Sequence, residues 1–399
     1  MRNFKTINDV NLENKRALIR LDLNMPMKNG VILDYSRIER SIPTLKKLTS
    51  QKAKVIIISH LGRPEGKFNS KMSLEPIASA LKEILNHNIR FVSNCTGKVA
   101  QNAAQEMEPG DIILLENLRF FEGEEKNDPK FSKKLASLGD VYINDAFSCS
   151  HRAHASTIGI PNYLEAVAGP QMENEINALS SALIKAKHPI AAIIGGSKIS
   201  TKIEVLLNLL PQVEFLIIGG GMANTFLFSK GFNIQKSLCE KGMVNEAKKV
   251  LNHAEKYNCE IILPVDGIVA KQCITNIDSK EVFLTSVPQN TMILDIGHLS
   301  RKKIKDCLKD CRTVLWNGPL GAFETSPFDS GTNEIAAEIA RLTSKNKLLS
   351  VAGGGDTLAA IAKSKTVHSF SYLSAAGGAF LEWLEGKDLP GIIPLIKSI

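Results

Sequence analysis

The chain has 399 residues, 44% hydrophobic and 23% charged, so it has apolar material for two packed cores and does not have the composition of a disordered chain. Lys and Arg exceed Asp and Glu by 49 − 41 = 8, yet the densest basic cluster is only Arg301-Lys302-Lys303 and aromatics make up 6%; this speaks against a nucleic-acid tail or stacking platform. The seven cysteines contain no CxxC pair, no apolar stretch approaches the ~18 residues of a membrane span, and the N-terminus has no apolar leader, so a soluble cytoplasmic protein without disulfides or a zinc motif is expected.

In chain order, short apolar runs at 17–21, 54–59, 89–92, 112–115 and 141–143 read as strands, with amphipathic segments at 37–48 and 74–85 among them. A helix-like stretch at 171–185 follows Ala168-Gly-Pro170 and is read as the joint between two halves. A second series of runs lies at 190–194, 214–218, 261–264, 292–295, 313–316 and 348–351, with amphipathic segments at 245–256 and 333–341. Alternation of this kind predicts α/β folding with parallel sheets, and runs apolar throughout fit strands covered by helices on both faces.

Ligands of open α/β sheets bind beyond the carboxyl ends of strands. The first series ends in Arg20-Leu-Asp22-Leu-Asn24, Ser59-His60-Leu-Gly-Arg63, Glu116-Asn-Leu-Arg119 and Asn144-Asp-Ala-Phe through His151-Arg152. With Arg37 at a helix start, these arginines predict an anion pocket, because guanidinium forks match phosphate and carboxylate oxygens. A lone arginine is more often a solvated surface residue; several just past strand ends are harder to explain that way. For His151 and His154, core or capping hydrogen bonds are the simpler reading.

The second series ends in glycines: Gly195-Gly196-Ser-Lys198, Gly219-Gly220-Gly221, Asn317-Gly-Pro319 and Gly353-Gly354-Gly355-Asp356-Thr357. Glycine lets backbone N–H groups approach phosphate. Lys198 and Lys202, four apart, are expected on one face of a helix start. Asp356 is a candidate to hold Mg²⁺ against phosphate oxygens, and Glu324 to accept ribose hydroxyls. Neither a Walker A motif nor a GxGxxG βα turn is present, which disfavours a P-loop enzyme or a dinucleotide dehydrogenase. Tight strand-to-helix packing could explain one glycine triplet but explains poorly a whole series of glycine-rich strand ends.

These motifs, taken with Trp316-Asn-Gly-Pro319 and Leu384-Glu-Gly-Lys387, resemble the phosphoglycerate kinase family over essentially the whole length. The resemblance implies two Rossmann-like α/β/α domains with largely parallel sheets, joined by a hinge helix. Residues 1–168 plus 386–399 would form the phosphoglycerate-binding domain, and 169–385 the nucleotide-binding domain. It implies a monomer that passes the acyl phosphate of 1,3-bisphosphoglycerate to Mg-ADP, with no nucleic-acid partner. Asp22, Asn24, Arg37, His60, Arg63, Arg119 and Arg152 would bind phosphoglycerate. Gly195, Gly196, Lys202, Gly219, Gly220, Asn317, Glu324 and Gly353 to Thr357 would serve the nucleotide, with Leu238 and Pro319 along the adenine and Asp356 on the magnesium. Arg37, Lys198 and Lys202 would surround the moving phosphoryl group. The family's usual Ser-Thr-Gly-Gly-Gly-Ala reads Ser374-Ala-Ala-Gly-Gly-Ala379 here, leaving Gly377 and Gly378 as the phosphate cradle; His298 stands where bacterial relatives often have proline, and Ser148-Cys-Ser150 where Gly-Thr-Ala is common. Another small-molecule kinase, or a basic binding protein, would share the charge balance; turnover with 3-phosphoglycerate separates the first, and salt-sensitive nucleic-acid binding the second.

Overall fold

The computed structural model describes residues 4–28, 30–183 and 185–396. It separates into two compact units. The first takes the chain up to Ile176 and the segment from Asp388 onward; the second is Asn177–Lys387. The division falls inside the helix Pro170–Ala182, later than the 168/169 junction read from sequence. The reason is local: the amides of Gln171 and Met172 donate to Asp145 Oδ1 at 2.7 and 3.1 Å, tying the first turn of this helix to the first unit.

The first unit holds a six-stranded parallel sheet in the order Ile89–Val92, Ile112–Leu115, Lys54–Ile58, Arg16–Arg20, Val141–Asn144, Ala166–Ala168. Its strands alternate between two cores. Ala17, Ile19, Val55 and Ile57 pack on one face, and Leu18, Ile56, Ile58 and Tyr142 on the other. This is the period-2 pleat of strands buried on both sides. Truncating one such residue, Ile57→Ala, would cost about 2–5 kcal/mol.

The second unit holds another six-stranded parallel sheet, ordered Glu260–Ile262, Phe215–Ile218, Ile190–Ile194, Thr313–Asn317, Leu349–Gly353, Tyr372–Ser374. The chain winds outward from Ile190–Ile194 in one direction and from Thr313–Asn317 in the other. The reversal between these two strands is where a doubly wound sheet opens a crevice for a ligand.

Met292–Ile296 departs from expectation. It joins Asp266–Ala270 and Lys280–Phe283 in a separate antiparallel sheet instead of extending the parallel one. An apolar run carries no direction of its own, so its sheet partner is set by tertiary pairing. The short strands Ala166–Ala168 and Tyr372–Ser374, each on a sheet edge, also escaped the periodicity.

Candidate functional site

In the first unit the strand ends bring arginines together around His60. Arg20 is buried at the end of its strand, with Nε donating to Ser156 Oγ at 3.0 Å and one terminal nitrogen 2.9 Å from His60 Nδ1. Burial, then the fields of Arg20, Arg119, Arg152 and Arg37, push the His60 pKa well below its ordinary value. His60 is therefore neutral here. Arg119 is buried, with one terminal nitrogen donating to Gly62 O at 2.7 Å and Nε 3.0 Å from Glu125. Arg37, in the first turn of the helix Ser36–Ser50, pairs with Asp22, which also accepts from Ser148 Oγ. Asn24 Oδ1 accepts from Gly62 N at 2.8 Å and so orients the loop that carries Arg63, which is exposed. Arg152 is half-buried, with Nε donating to His151 Nε2 at 3.2 Å.

Sequence reasoning missed the support beneath this cluster. Glu124 is fully buried and accepts from Ser156 N and Oγ at 3.0 and 2.5 Å. It stands in the charge run Glu122-Gly-Glu-Glu125, which by itself reads as a solvated face. His154 Nδ1 is 3.7 Å from Glu124, yet burial and the surrounding arginines push the imidazole down to about 4. The contact is thus a neutral one at pH 7. His154 helps cap the turn Ala155–Gly159, the role expected of it. Asp22, His60 and Cys149 place possible ligand atoms within 4.8 Å of one another, but the encircling guanidinium groups repel a cation there and favour an anion.

In the second unit the glycine-rich strand ends border a cavity of about 350 Å³, whose lining includes Gly196, Gly220, Leu238, Pro319, Glu324 and Asp356. Leu238 is 48% exposed, an apolar plate available to a planar ring. Ile293 and Leu294 of the antiparallel sheet, with Leu284 of the turn Leu284–Ser286, complete the wall. The unexpected direction of Met292–Ile296 is what brings Ile293 and Leu294 there.

The loops are tied from beneath. Gly195 N donates to Asn317 O at 2.9 Å, Gly219 N to Ile194 O at 3.1 Å, and Gly220 N to Leu320 O at 2.9 Å. Asn317 is buried; its Nδ2 donates to Gly353 O at 2.8 Å, and its Oδ1 accepts from Lys202 Nζ. Thr357 is also buried and accepts from Gly318 N at 2.7 Å. These two side chains tie the loops of the cradle together. Gly354, with φ of 100°, lies before the helix Gly355–Lys363, so the first amides of that helix and the exposed Asp356 face solvent. An added Cβ at Gly377 would stand 3.9 Å from Gly355 N, so the helix Gly377–Leu384, which contains Gly378, starts beside the same amides.

One expectation fails. Lys198 and Lys202 do not share a helix face. A single 3₁₀ turn, Ile199–Thr201, separates them, and the α-helix starts only at Ile203. Glu240 shapes this turn by accepting from Ser200 N and Oγ at 2.9 and 2.7 Å. Lys198 is exposed and lies within the field of Glu240. Lys202 is half-buried; burial lowers its pKa, opposed by Glu385 and Asp356.

A family model described as phosphoglycerate kinase matches residues 7–387. The chain belongs to the phosphoglycerate kinase family. It is 50% identical over its full length to the phosphoglycerate kinase of Chelativorans sp. (strain BNC1), covering 100% of both chains. It is 48% identical to that of Brucella melitensis biotype 1, covering 99% of this chain and 100% of the relative. Among solved structures, the phosphoglycerate kinase from Coxiella burnetii superposes with a TM-score of 0.92 at 43% identity, covering 98% of this chain and 99% of the other. The enzyme from Pyrococcus horikoshii OT3 superposes at 0.82 with 30% identity, covering 98% of each. Membership makes the chain a phosphotransferase of glycolysis with a carboxyl group as acceptor, which exchanges the acyl phosphate of 1,3-bisphosphoglycerate with ADP to give 3-phosphoglycerate and ATP.

Proposed function

We propose that the first unit binds phosphoglycerate through Asp22, Asn24, Arg37, His60, Arg63, Arg119 and Arg152, and that the second binds ADP or ATP across its glycine-rich strand ends. The observation that carries this reading is the contrast in charge. One unit gathers Arg20, Arg37, Arg119 and Arg152 around a neutral histidine. The other offers the first amides of the helix Gly355–Lys363 beside an apolar slot. A small anion with a carboxylate and a phosphate suits the first, and a nucleoside polyphosphate the second.

Asp22 and Ser148 hold Arg37 in place before substrate arrives. His60, neutral, adds no repulsion to Arg20 and can accept a hydrogen bond from it. Leu238 and Pro319 flank the base, Glu324 accepts from the ribose, and the amides from Gly353 to Gly355 with those of Gly377 and Gly378 receive the phosphates. Asp356 fits a magnesium role, being an exposed carboxylate at those amides; Mg²⁺ bound there would draw charge from the phosphate oxygens.

Both partners of the transfer already carry phosphate chemistry, so no general base is needed. The residues have to align donor and acceptor and neutralise charge on the moving group. Arg37 supplies that charge from one unit and Lys202 from the other. Lys198 is able to join by leaving the field of Glu240. Transfer then requires the two units to close on their substrates, which also excludes water from the acyl phosphate. We propose that the enzyme acts as a monomer. No helix among the described residues is long and apolar enough to cross a membrane, and we place the enzyme with its soluble substrates in the cytoplasm, without a nucleic-acid partner.

The test is steady-state ATP consumption with 3-phosphoglycerate and Mg²⁺, coupled to reduction of the acyl phosphate formed. Substrate-dependent turnover is expected. A folded protein that binds Mg-ATP but shows no turnover would overturn the assignment of the arginine cluster.

A further inference from the structure

The carboxylate of Asp295 belongs to none of the motifs above, yet it lies at the base of the nucleotide cavity. It is buried in the strand Met292–Ile296. Oδ1 accepts from Ile296 N at 2.9 Å; Oδ2 accepts from Gly331 N at 2.7 Å and from Ser330 Oγ at 3.1 Å. Gly331 and Ser330 open the helix Ser330–Ser344. On the cavity side, a Cβ added to Gly321 would fall 2.3 Å from Asp295 Oδ1, and one added to Gly331 would fall 2.5 Å from it. The carboxylate is therefore wedged between the start of a helix and the loop that carries Pro319 and Glu324. That loop is held to the same strand by the Ala322 amide, which donates to Leu294 O at 2.8 Å.

We propose that Asp295 is a positioning residue for the nucleotide: by fastening the first turn of the helix Ser330–Ser344 and seating Gly321, it sets where Pro319 and Glu324 meet the ligand. The inference rests on the nucleotide assignment of this cavity. It adds a residue that touches neither the base nor the phosphates and acts through the loop between them.

The geometry has a pH consequence. Three donors point at the carboxylate, so its ionised form holds the helix start most firmly. Burial opposes that form and pushes Asp295 up to about 7, against the hydrogen bonds and the field of Arg301. Arg301 faces it from the helix His298–Asp310 and is shared with Glu334, 3.4 Å from its Nε, while Lys305 pairs with Glu334 at 2.6 Å. From the loop side, Asp329 is paired with Lys363 at 2.8 Å and Glu324 is exposed. As pH falls through about 7, Asp295 takes up a proton, loses acceptor strength, and loosens the loop. The KM for nucleotide should rise on the acid side, while the KM for phosphoglycerate does not follow.

The experiment measures both KM values and kcat from pH 6 to 8 for the wild type, Asp295→Asn and Ser330→Ala, with Mg-ADP binding followed by calorimetry. Asp295→Asn keeps the shape but turns an amide donor toward backbone donors. It should raise the nucleotide KM about tenfold at pH 8, remove the acid-side rise and leave kcat within about twofold. Ser330→Ala removes one donor; it should move the midpoint of the rise to higher pH, and it keeps the test available if the asparagine variant fails to fold. Trp316 Nε1 donates to Gly318 O at 2.7 Å at the start of the loop, so its emission in a Trp383→Phe background should shift with the same midpoint. A merely structural role would lower thermal stability and reduce all kinetic constants together, and that result would overturn the proposal. An unchanged nucleotide KM with an unchanged pH profile in both variants would do the same. Failure of the wild type to bind Mg-ADP would overturn the nucleotide assignment itself, and the proposal with it.

Discussion

The two units share a sheet architecture but build their binding surfaces from different atoms. The first works with side chains: Arg20, Arg37, Arg119 and Arg152 converge, and Asp22, Glu124, Ser148, Ser156 and neutral His60 hold them in order. The second works with backbone: the first amides of the helix Gly355–Lys363 are open beside the cavity, while the polar side chains of Asn317 and Thr357 brace the loops around them. Gathered guanidinium groups repel one another, so a side-chain site needs buried counter-groups fixed before the ligand comes. A backbone site carries no net charge and needs shape, which glycine and internal hydrogen bonds provide. Substitutions should therefore act on charge in the first unit and on placement in the second.

The largest effect is expected at Arg37. Arg37→Ala should lower kcat about 10²–10³-fold with a smaller change in the KM for phosphoglycerate, because its charge counts most when the phosphoryl group is in flight. A near-normal kcat would break the comparison, since the first unit would then only bind. In stability, His154→Asn is expected to show the cost of burying a histidine beside gathered arginines. The folded imidazole sits at about 4, below its unfolded value of about 6.5, so between those pH values the unfolded chain binds the extra proton. Stability from His154 is thus complete above pH 6.5 and lost as pH falls. The asparagine, which keeps an acceptor for the cap, should reduce the loss between pH 7 and pH 4 by up to about 3 kcal/mol. Amide exchange in the strand Val141–Asn144 measures it within the right unit.

In the second unit the corresponding effect is smaller and falls on binding. Asp356→Ala should raise the apparent KM for Mg-nucleotide about tenfold and leave the KM for phosphoglycerate unchanged. Unchanged nucleotide kinetics would mean that the amides at Gly353 to Gly355 hold the phosphates without help from the carboxylate.

What sequence reveals about this molecule follows the same contrast. Strands 54–59 and 190–194 are legible because burial on both faces forces continuous apolar runs, and the strand ends proposed to bind ligands stand out because arginine and glycine are unusual there. The bracing residues are not. Glu124 looks like one more exposed carboxylate until the fold buries it, and Asp295 looks like a strand terminus until Gly321 and Gly331 close on it. The direction of Met292–Ile296 was beyond reach because pairing is decided by partners distant in the chain. The spacing of Lys198 and Lys202 misled because it presumes an α-helix where Glu240 imposes a tighter turn.

The smallest effect sharpens the comparison most, because it asks which glycines the backbone site needs. Ala376 stands where the family usually has glycine. Its φ is −97° and its ψ 65°, close to the inverse γ-turn, which alanine can adopt. Its amide donates to Ser374 Oγ at 3.2 Å, and its carbonyl accepts from Phe380 N at 2.7 Å. It is buried and turned into the fold, so it offers the cavity no amide that a glycine would add. Gly354 differs: at φ of 100°, with Asn317 Nδ2 2.7 Å from the site of a Cβ, it has no room for alanine. Ala376→Gly should therefore change the nucleotide KM by less than about twofold and stability by no more than about 0.5–1 kcal/mol, the usual entropy difference between the two residues. A clear gain in nucleotide affinity would show that the cradle at Gly377 and Gly378 is limited by backbone stiffness at its N-cap, so that placement in this unit depends on flexibility as well as on shape.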